Sequence, residues 1–557
     1  MPVCKNCQKE FIVSDFETKF LDRISPVFGE QKYQIPAPVF CPECRLRWRT
    51  IHRNEQYLYQ NVSAKSGKNI ISLYSPEAVC SQGLSLYSPE EWWQDDWDGL
   101  SYGRDFDFNR PFFSQFNELA RSVPRLALMI SNCQNSDYTT DTGYCKNCYL
   151  INYSENDEDC YYGKLIQSSR DIMDSDFVYK SELCYGCFNI TECYHCLYLS
   201  YGLHCHDCYF SENLHGCSDC LFCTNLVNQE CCVRNKKVTP EEFAKAKEEV
   251  LGSRSKVAAA VKILDEWRRA RIHKYAAVVK CQNSTGDFLT NCKNCAGCYD
   301  CNDSEDCQHV VVGVNVKDLL DCSNMYLKQE LGYQVLGTID IYNVIFSLYV
   351  FYSQQIIYSE SVWSCKNLFG CSGLRNKEYC IFNKQYTEEE YNRLVPKIIL
   401  HMQKTGEWGN YFPAEYSPFP YNNTVAHDYL PLTKEEATKF GGAWLEVSPK
   451  EKLPPTAVLP DKISEVPDDI TKEVFACAEC GRNYKIIKQE LVRLRQLAMP
   501  VSDKCFYCRQ AERMQKRNPR RLYDRKCDKC GAEIKTTYPP ERPEKIYCEE
   551  CYRKEIY

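Results

Sequence analysis

The chain has 557 residues, of which 38 are cysteine, and its formal net charge is -7. A hydrophobic share of 44% and a charged share of 26% indicate a folded chain of several domains and exclude global disorder. The negative net charge argues against a protein that is basic throughout and coats nucleic acid, although it leaves room for local basic patches.

The first residues, Met1 to Cys7, contain neither a basic nor an apolar segment, so we expect no secretory signal and a cytoplasmic location. Thiols stay reduced in the cytosol, which favours metal ligands or core packing over disulfides. The least polar stretch, residues 333–358, contains Asp340 and Asn343 and partly alternates in polarity. It predicts strands, and we expect no contact with a membrane.

Residues 1–57 predict a zinc-binding module, in which Cys4-x-x-Cys7 and Cys41-x-x-Cys44 supply four thiolates. Residues 58–98 predict a degenerate zinc ribbon, because the C-terminal part of the chain repeats the N-terminal part at a shift of 464 residues. In this comparison Ser63 and Ser66 replace Cys527 and Cys530, and after an insertion of four residues Ser88 and Glu91 replace Cys548 and Cys551. Such residues are poor zinc ligands, so we expect this ribbon to keep its strands without a metal.

Residues 99–132 predict a helical and aromatic cap, and residues 133–237 predict the first half of a β-solenoid. CxxC pairs start at residues 184, 193, 205 and 217 and are followed by aromatic or aliphatic residues and small polar turns. Short strands at this pitch are typical of a solenoid, with roughly 20–24 residues in each rung. An irregular zinc-bound array is the competing fold.

The middle of the chain is duplicated at a shift of 147 or 148 residues, which pairs the segments 145–148 and 292–295. Residues 281–386 therefore predict a second solenoid half. Thr239 and Thr387 each begin a Thr-x-x-Glu capping box, which predicts a helical connector over 238–280 and a capping helix over 387–404. The predicted fold class is mainly β, with two tandem β-solenoid-like repeat halves and helical caps, flanked by zinc-ribbon modules at both termini.

The cysteines of the first half allow two interpretations. Together with His195, His204, His206 and His215 they suggest a metal array or redox centre. In the second half, however, Cys187, Cys193 and Cys196 correspond to Val335, Ile341 and Val344, an exchange typical of small buried hydrophobic residues. Core packing is therefore favoured, while metal binding in the first half stays open.

Residues 405–472 are rich in proline and aromatic residues, and they predict a strap on the solenoid followed by a looser hinge near 449–470. Residues 473–521 predict another zinc-binding module, with Cys477, Cys480, Cys505 and Cys508. Residues 522–557 predict a zinc ribbon in which two tight CxxC turns supply Cys527, Cys530, Cys548 and Cys551. Four thiolates leave no open coordination position, so we expect three structural Zn²⁺ ions.

Arginines follow the second cysteine pair of each zinc-binding module. The predicted nucleic-acid contacts are Arg45, Arg49, Arg53, Arg509, Arg513, Arg517, Arg520 and Arg521. Many are four residues apart, which places them on one face of a helix, and guanidinium groups match phosphate bidentately. The alternative is a solvated amphipathic helix that links two ribbons.

Several segments resemble a known family: Cys41-Pro42-Glu43-Cys44-Arg45, the tryptophan-rich and acidic run over 92–98, Asp105-Phe106-Asp107-Phe108, the Lys-Asn-Cys-Tyr repeats, and the strap over 406–419. Over most of its length the chain is similar to uncharacterised cysteine-rich zinc-ribbon proteins of the candidate phyla radiation of bacteria. Some of these proteins carry an automatic label as CaiB/BaiF family CoA-transferases. The resemblance implies the architecture given above and a bacterial cytosol, and it implies no particular activity.

No dinucleotide-binding, phosphate-loop, nucleophile-elbow or zinc-protease motif occurs in the sequence. We therefore predict a non-enzymatic zinc-ribbon and solenoid scaffold that binds nucleic acid or a ribonucleoprotein through its basic zinc modules. The alternatives are a scaffold that binds a protein partner through the solenoid faces, or a metal or redox protein that uses the first solenoid half.

Overall fold

The structure is a computed structural model that describes residues 1–446 and 452–556. The prediction of a mainly β fold is confirmed, because two long parallel sheets form the centre of the molecule. We call the first sheet, over residues 130–237, the first coil. Its strands are Ile130–Ser131, Thr140–Gly143, Tyr149–Glu155, Tyr161–Gln167, Arg170–Met173, Asp176–Tyr179, Glu182–Tyr185, Phe188–Thr191, Leu197–Leu203, His206–His215, Ser218–Leu221, Thr224–Val227, Glu230–Val233 and Lys236–Lys237.

The second sheet, over residues 278–385, is called the second coil. Its strands are Val278–Val279, Gly286–Thr290, Cys298–Asn302, Glu305–Gln308, Val311–Leu320, Ser323–Tyr333, Leu336–Ile345, Leu348–Ile357, Glu360–Trp363, Lys366–Phe369, Glu378–Ile381 and Lys384–Gln385. The predicted strands within 333–358 are thus confirmed.

Most turns of the coils take 12 residues, as the hydrogen bond from Arg170 to Glu182 one turn later illustrates. The second coil also has turns of 11 and 13 residues, from Val278 to Leu289 and from Ser323 to Leu336. The expected rung of 20–24 residues is therefore wrong. The reason lies in the backbone, because every third residue adopts a left-handed conformation; Asn147, Leu150 and Tyr153 have φ values of 55°, 49° and 58°. Such residues turn the chain sharply, so four short sides close one turn.

One residue in every three points into the interior of its coil. Cys187, Cys193 and Cys196 lie there in the first coil, as do their counterparts Val335, Ile341 and Val344 in the second, and all six are buried. The prediction that these thiols pack as core residues is confirmed. Thiol groups donate to nearby carbonyls, as from Cys187 to Tyr185, so burial leaves them with a polar partner.

Thirteen α-helices are found in the described part of the chain: Asp15–Ile24, Pro42–Thr50, Pro76–Gln82, Pro89–Trp92, Phe112–Ser122, Pro240–Val250, Arg254–Arg269, Glu388–Thr405, Val425–Tyr429, Lys434–Phe440, Lys488–Gln496, Phe506–Gln515 and Glu549–Ile556. Thr239 and Thr387 form the predicted capping boxes at the starts of their helices. Within the ranges 1–446 and 452–556, no helix is both long and apolar enough to pass through a bilayer.

Short antiparallel hairpins lie outside the coils. Their strands are Val27–Phe28 with Gln31–Lys32, Tyr59–Val62 with Asn69–Ser72, Phe475–Ala476 with Asn483–Tyr484, and Tyr523–Lys526 with Glu533–Thr536. Two parallel pairs join distant segments, and they are Leu86–Tyr87 with Arg125–Leu126 and Ile272–Lys274 with Lys545–Tyr547.

The strap fastens the N-terminal module to the second coil. Trp408, Tyr411 and Phe412 belong to a buried cluster that includes residues of the second coil and of the helix Glu388–Thr405. The indole of Trp48 donates to the carbonyl of Phe412 at 2.8 Å. The expected hinge near 449–470 falls partly on residues 449–451, which lie outside the described residues. Further along, Asp461 accepts at 2.9 Å from the N–H of Ser255. The looser hinge stays a prediction.

Candidate metal centres and the buried arginines

Three groups of four cysteines bring their sulfur atoms together, and they are the three groups predicted at the termini. Within each group all Sγ atoms lie within 4.8 Å of one another. Distances between sulfurs of opposite pairs are 3.7 Å for Cys7 and Cys41 and 3.8 Å for Cys530 and Cys548. A tetrahedral ion with metal–sulfur bonds of about 2.3 Å has sulfurs about 3.8 Å apart. Each group could therefore hold one metal ion.

The same local structure forms each of these groups. The first cysteine begins a tight turn whose later N–H returns to its carbonyl, from Gln8 to Cys4 at 3.0 Å and from Gly531 to Cys527 at 2.9 Å. That later residue has a left-handed conformation, with φ of 59° for Gln8 and 75° for Gly531, which a glycine adopts at little cost.

The second cysteine pair lies at the start of a helix. Cys41 caps the helix Pro42–Thr50, and Cys505 caps the helix Phe506–Gln515. Cys548 likewise precedes the helix Glu549–Ile556. The expectation of two tight turns in the last ribbon is thus correct for its first pair and wrong for its second. A helix start directs free N–H groups toward the thiolates and favours their negative charge.

Backbone hydrogen bonds prepare the first cysteine of each group for metal binding. The N–H of Cys505 donates to Cys477 Sγ at 3.2 Å, and that of Cys548 donates to Cys527 Sγ at 3.3 Å. Burial alone would raise the pKa of Cys527, but the backbone N–H groups of Cys530 and Cys548 lower it to about 6. Thiolate, the form that binds metal, is therefore favoured near neutral pH.

The degenerate ribbon has the same backbone and a different centre. Its hairpin Tyr59–Val62 with Asn69–Ser72 is present, and Gly67 returns its N–H to the carbonyl of Ser63 at 3.0 Å. The Ser63 hydroxyl donates to the Glu91 carboxylate at 2.5 Å, and the N–H of Ser88 donates to the same carboxylate at 2.9 Å. The Glu91 carboxylate thus links Ser63 and Ser88 through hydrogen bonds, at the positions where a metal ion could link the cysteines of the C-terminal copy.

The two arginine clusters occupy equivalent positions in the two modules. Arg45 pairs with Glu17 at 2.6 Å and with Asp321 of the second coil at 2.6 Å. We call Arg45, Arg49, Glu17 and Asp321 the N-terminal seam. Arg509 pairs with Asp174 of the first coil at 2.6 Å and with Glu490 at 3.2 Å. Arg509, Arg513, Glu490, Asp174 and Asp176 form the C-terminal seam.

These equivalences follow the internal duplications of the sequence. The shift of 464 relates Arg45 to Arg509, and the shift of 147 relates Asp174 to Asp321. The N-terminal module thus docks on the second coil, whereas the C-terminal module docks on the first. Each of these seams therefore joins a module to the coil that lies farther from it along the sequence.

Further arginines tie each module to the remaining coil. Arg53 pairs with Glu55 at 2.5 Å and with Asp141 of the first coil at 3.2 Å. Arg517 and Arg520 both pair with Asp300 of the second coil, Arg520 at 2.9 Å. Each module consequently bridges both coils through buried ion pairs.

The structure corrects the expected exposure of the arginines. Seven of the eight predicted phosphate contacts have side chains at most 10% exposed, namely Arg45, Arg49, Arg53, Arg509, Arg513, Arg517 and Arg520. Only Arg521 of this set is exposed, at 44%, and it lies 3.5 Å from Glu43. The seven point inward because the coils offer them carboxylates, so contact with phosphate would require these ion pairs to open. Nucleic-acid binding by the chain stays a prediction.

Burial and charge act in opposite directions on these groups. Burial would lower the pKa of Arg509, but Asp174 and Glu490 raise it well above its ordinary value. Burial likewise would raise the pKa of Glu55, but Lys164 and Arg53 lower it to about 2. Both groups are therefore charged at neutral pH, as a clamp made of ion pairs requires.

Sequence reasoning missed the acidic partners, although a signal for them exists. A shift of 473 residues, which relates Cys4 to Cys477, also relates Glu17 to Glu490. Aligning both modules and both coils would have shown that Arg45 and Arg509 each have the same two acids, Glu17 with Asp321 and Glu490 with Asp174. The partners lie hundreds of residues apart, so spacing along the chain alone cannot join them.

Within residues 1–446 and 452–556, no histidine of the coils belongs to a group of potential metal ligands. Among the residues that the structure describes, the only group with three potential ligands in a coil is Asp219, Glu230 and Cys231, and it contains no histidine. His195 instead pairs with Asp207 at 2.7 Å on the outside of the first coil. The three tetra-cysteine groups at the termini are therefore the candidate metal sites.

No protein-family model and no curated protein matches this chain, so its resemblance to proteins of candidate-phyla bacteria stays a prediction and its function is inferred from its own geometry.

Proposed function

We propose that the three tetra-cysteine groups bind Zn²⁺ and that the chain is a non-enzymatic scaffold of two β-solenoids fastened by zinc modules. Four thiolates in tetrahedral arrangement are the ligand set that zinc prefers in structural sites, and they leave no position open for a substrate. The observation that carries the proposal is the docking of both modules on both coils through buried ion pairs. Zinc would hold the arginines of each module in place.

We infer that a protein partner binds where the coils meet on their outer surface. Tyr144 of the first coil and Tyr352 of the second are 59% and 58% exposed. Partial burial raises the pKa of Tyr352, and so do the charges of Tyr144, Asp340 and Glu155. We call these four residues the tyrosine patch. Exposed aromatic residues are enriched at protein interfaces, and the two carboxylates favour a partner with a basic surface.

The alternative is that nucleic acid or a ribonucleoprotein binds the surface around the exposed Arg521. The acidic tyrosine patch would repel a polyanion, and the other predicted arginines are committed to carboxylates. A protein partner therefore has the stronger support.

The test compares purifications of the full chain from its producing cells, after cross-linking and with or without nuclease. Three forms are compared: the parent chain, a double variant Tyr144→Ala/Tyr352→Ala, and Tyr194→Ala as a control at another exposed tyrosine. The proposal expects a basic protein that the double variant loses, that Tyr194→Ala retains and that nuclease does not release. Equal recovery by all three forms would contradict it, and a partner released by nuclease and weakened by Arg521→Glu would favour the alternative.

A further inference from the structure

The C-terminal end of the first coil carries a cavity of about 630 Å³. The last turns of the coil line one side of it, and the helices Pro240–Val250 and Arg254–Arg269 line the other. Its lining includes buried residues, such as Leu221 at 1% exposure, and exposed ones, such as Arg234 and Lys256. The cavity therefore extends from solvent to the apolar end of the coil.

The second coil contains a copy of this end, related by a shift of 148 residues. The backbone has the same arrangement in both copies. Asn235 accepts at 2.9 Å from the N–H of Thr224, and its counterpart Asn383 accepts at 2.9 Å from the N–H of Ser372. The residues that line the cavity can therefore be compared position by position with the second coil.

In the second coil this end is covered by aromatic rings from an earlier part of the chain. The ring centroid of Phe112 lies 5.6 Å from that of Phe369 and 5.3 Å from that of Phe382. The ring of Phe106 lies 5.5 Å from that of Phe382. Phe369 and Phe382 both correspond to residues that line the cavity of the first coil. The cavity thus lies where the second coil is packed against phenylalanine.

Polar contacts hold the same part of the chain on the second coil. The side chain of Asn383 donates to the carbonyl of Gly99 at 3.0 Å, and the N–H of Arg104 donates to a carbonyl of the coil end at 3.1 Å. Lys384 pairs with Asp105 at 2.7 Å. We call residues 98–113 the covering segment. Its acidic and aromatic residues are Asp98, Tyr102, Asp105, Phe106, Asp107, Phe108, Phe112 and Phe113.

The first coil keeps the groups that receive such a segment and leaves them partly uncovered. Asn235 and Lys236 correspond to Asn383 and Lys384, and Arg234 adds a further cation. Asn235 is partly exposed, whereas Asn383 is 0% exposed. Within residues 1–446 and 452–556, neither Arg234 nor Lys236 pairs with a carboxylate. This coil end is therefore complementary to an acidic occupant.

One exchange changes the shape of the site. A Cβ atom at Gly370 would lie 3.2 Å from the ring of Phe112, so glycine leaves room for that ring. Its counterpart in the first coil is Phe222, which lines the cavity and lies 5.9 Å below the guanidinium of Arg234. An occupant of the first coil therefore meets an aromatic ring where Phe112 meets a glycine.

We propose that the C-terminal end of the first coil binds an acidic, aromatic segment of a partner protein, as the second coil binds the covering segment. Aromatic side chains of the partner enter the cavity, and its carboxylates pair with Arg234 and Lys236. The cavity lies within the range of about 300–1,000 Å³ that is typical of binding pockets. The site uses none of the residues of the tyrosine patch, so the inference does not depend on the proposed function.

The probe is a fluorescein-labelled synthetic peptide with the sequence of the covering segment, and the protein is the full chain with its metal. Fluorescence polarisation follows the titration at low and moderate salt. Saturable binding to one site per chain is expected, and it should weaken as salt screens the charges. A peptide with Phe106 and Phe112 replaced by alanine, and one with the three aspartates replaced by lysine, should each bind at least about tenfold more weakly.

Matched variants distinguish the two coil ends. Arg234→Glu/Lys236→Glu should weaken binding of the peptide at least about tenfold, and so should Ala259→Trp, which fills the cavity. Lys384→Glu is the control on the second coil and should leave the affinity unchanged. Arg234, Lys236 and Ala259 are exposed, so these variants should keep the unfolding midpoint of the parent chain.

Three results would overturn the proposal. The first is the absence of saturable binding up to about 1 mM peptide. The second is an affinity that Arg234→Glu/Lys236→Glu leaves unchanged; a loss in Lys384→Glu alone would show that the peptide displaces the covering segment instead. The third is self-association of the parent chain, measured by analytical ultracentrifugation, that disappears in Arg234→Glu/Lys236→Glu, because a second copy of the chain would then be the occupant.

Discussion

A single carboxyl group in the interior of the first coil distinguishes the two halves. Asp157 occupies an interior position at which the second coil has Ser304, according to the shift of 147 residues. Its Oδ1 accepts from the N–H of Ser169 at 3.0 Å, and the Ser169 hydroxyl accepts in the same way from Ser181 one turn later. Burial raises the pKa of Asp157 to about 8. The fold therefore holds this group as a neutral acid at pH 7.

Replacement of Asp157 by serine should stabilise the protein. The folded carboxyl keeps its proton between its unfolded pKa, near 3.8, and about 8, whereas the unfolded chain loses it, so stability falls as pH rises through this window. Asp157→Ser keeps the hydrogen bond and should add about 1–3 kcal/mol at pH 7. Urea unfolding at several pH values measures the free energy of unfolding of the parent chain and of the variant. A parent chain and a variant with parallel pH profiles would contradict the prediction.

Removal of a seam arginine should destabilise the protein far more than removal of the exposed one. Arg513→Ala leaves Asp174 and Asp176 buried without a cation, a change that costs about 3–5 kcal/mol for buried ion pairs. Arg521→Ala removes a solvent-exposed group and should change the free energy of unfolding by less than about 0.5 kcal/mol. Chemical denaturation of both variants provides the comparison. Similar losses would show that the C-terminal seam does not act as a clamp.

At the scale of elements, the coils show how a short repeat gives a closed turn. The interior receives one residue of every three, so the two cysteines of each CxxC pair both point inward. Cysteine, serine, valine and isoleucine recur there because a turn of 12 residues leaves a narrow interior. Aspartate and asparagine are frequent at the corners, and both tolerate the left-handed conformation better than most residues.

An exchange of thiol for valine in this interior should be tolerated. Cys196→Val copies Val344 of the second coil and should cost about 1–3 kcal/mol, as small volume changes in a packed core do. Metal content should stay the same because the thiol lies in the apolar cluster of the first coil. Circular dichroism and elemental analysis check both statements. Loss of bound metal from Cys196→Val would assign the coil thiols to a metal centre.

Much of this architecture could be predicted from local spacing, and what failed was non-local or depended on backbone conformation. The twelve terminal cysteines stand in pairs separated by two residues, and each predicted group of four comes together. The turn length was missed because the repeat was counted in strands and not in left-handed corners. The burial of Arg45 was missed because Asp321 lies in another module, and a helical arginine face alone is equally compatible with solvent.

At the scale of the whole molecule, the terminal modules should contain three zinc ions per chain. Cys527→Ser should lose one ion and loosen the C-terminal hairpin, because loss of a ligand can unfold a small metal module. Ser63→Cys is the matched control at the equivalent position of the degenerate ribbon, and it should gain no ion, since Glu91 and two serines remain. Elemental analysis and limited proteolysis measure the two effects. Four or more tightly bound zinc ions in the parent chain, or appreciable iron, would contradict the prediction.

Because the N-terminal module docks on the second coil and the C-terminal module on the first, the two modules meet their docking surfaces at different times during translation. Asn324 of the second coil, which donates to Glu55 beside the N-terminal module, is synthesised 269 residues after it. At about 5–20 residues per second the N-terminal module waits about 15–50 s before its docking surface exists. During this interval its arginines are exposed to the cell, and early metal binding would protect the module from proteolysis. The C-terminal module, by contrast, emerges after both coils have been made, so its docking surfaces already exist when it is synthesised.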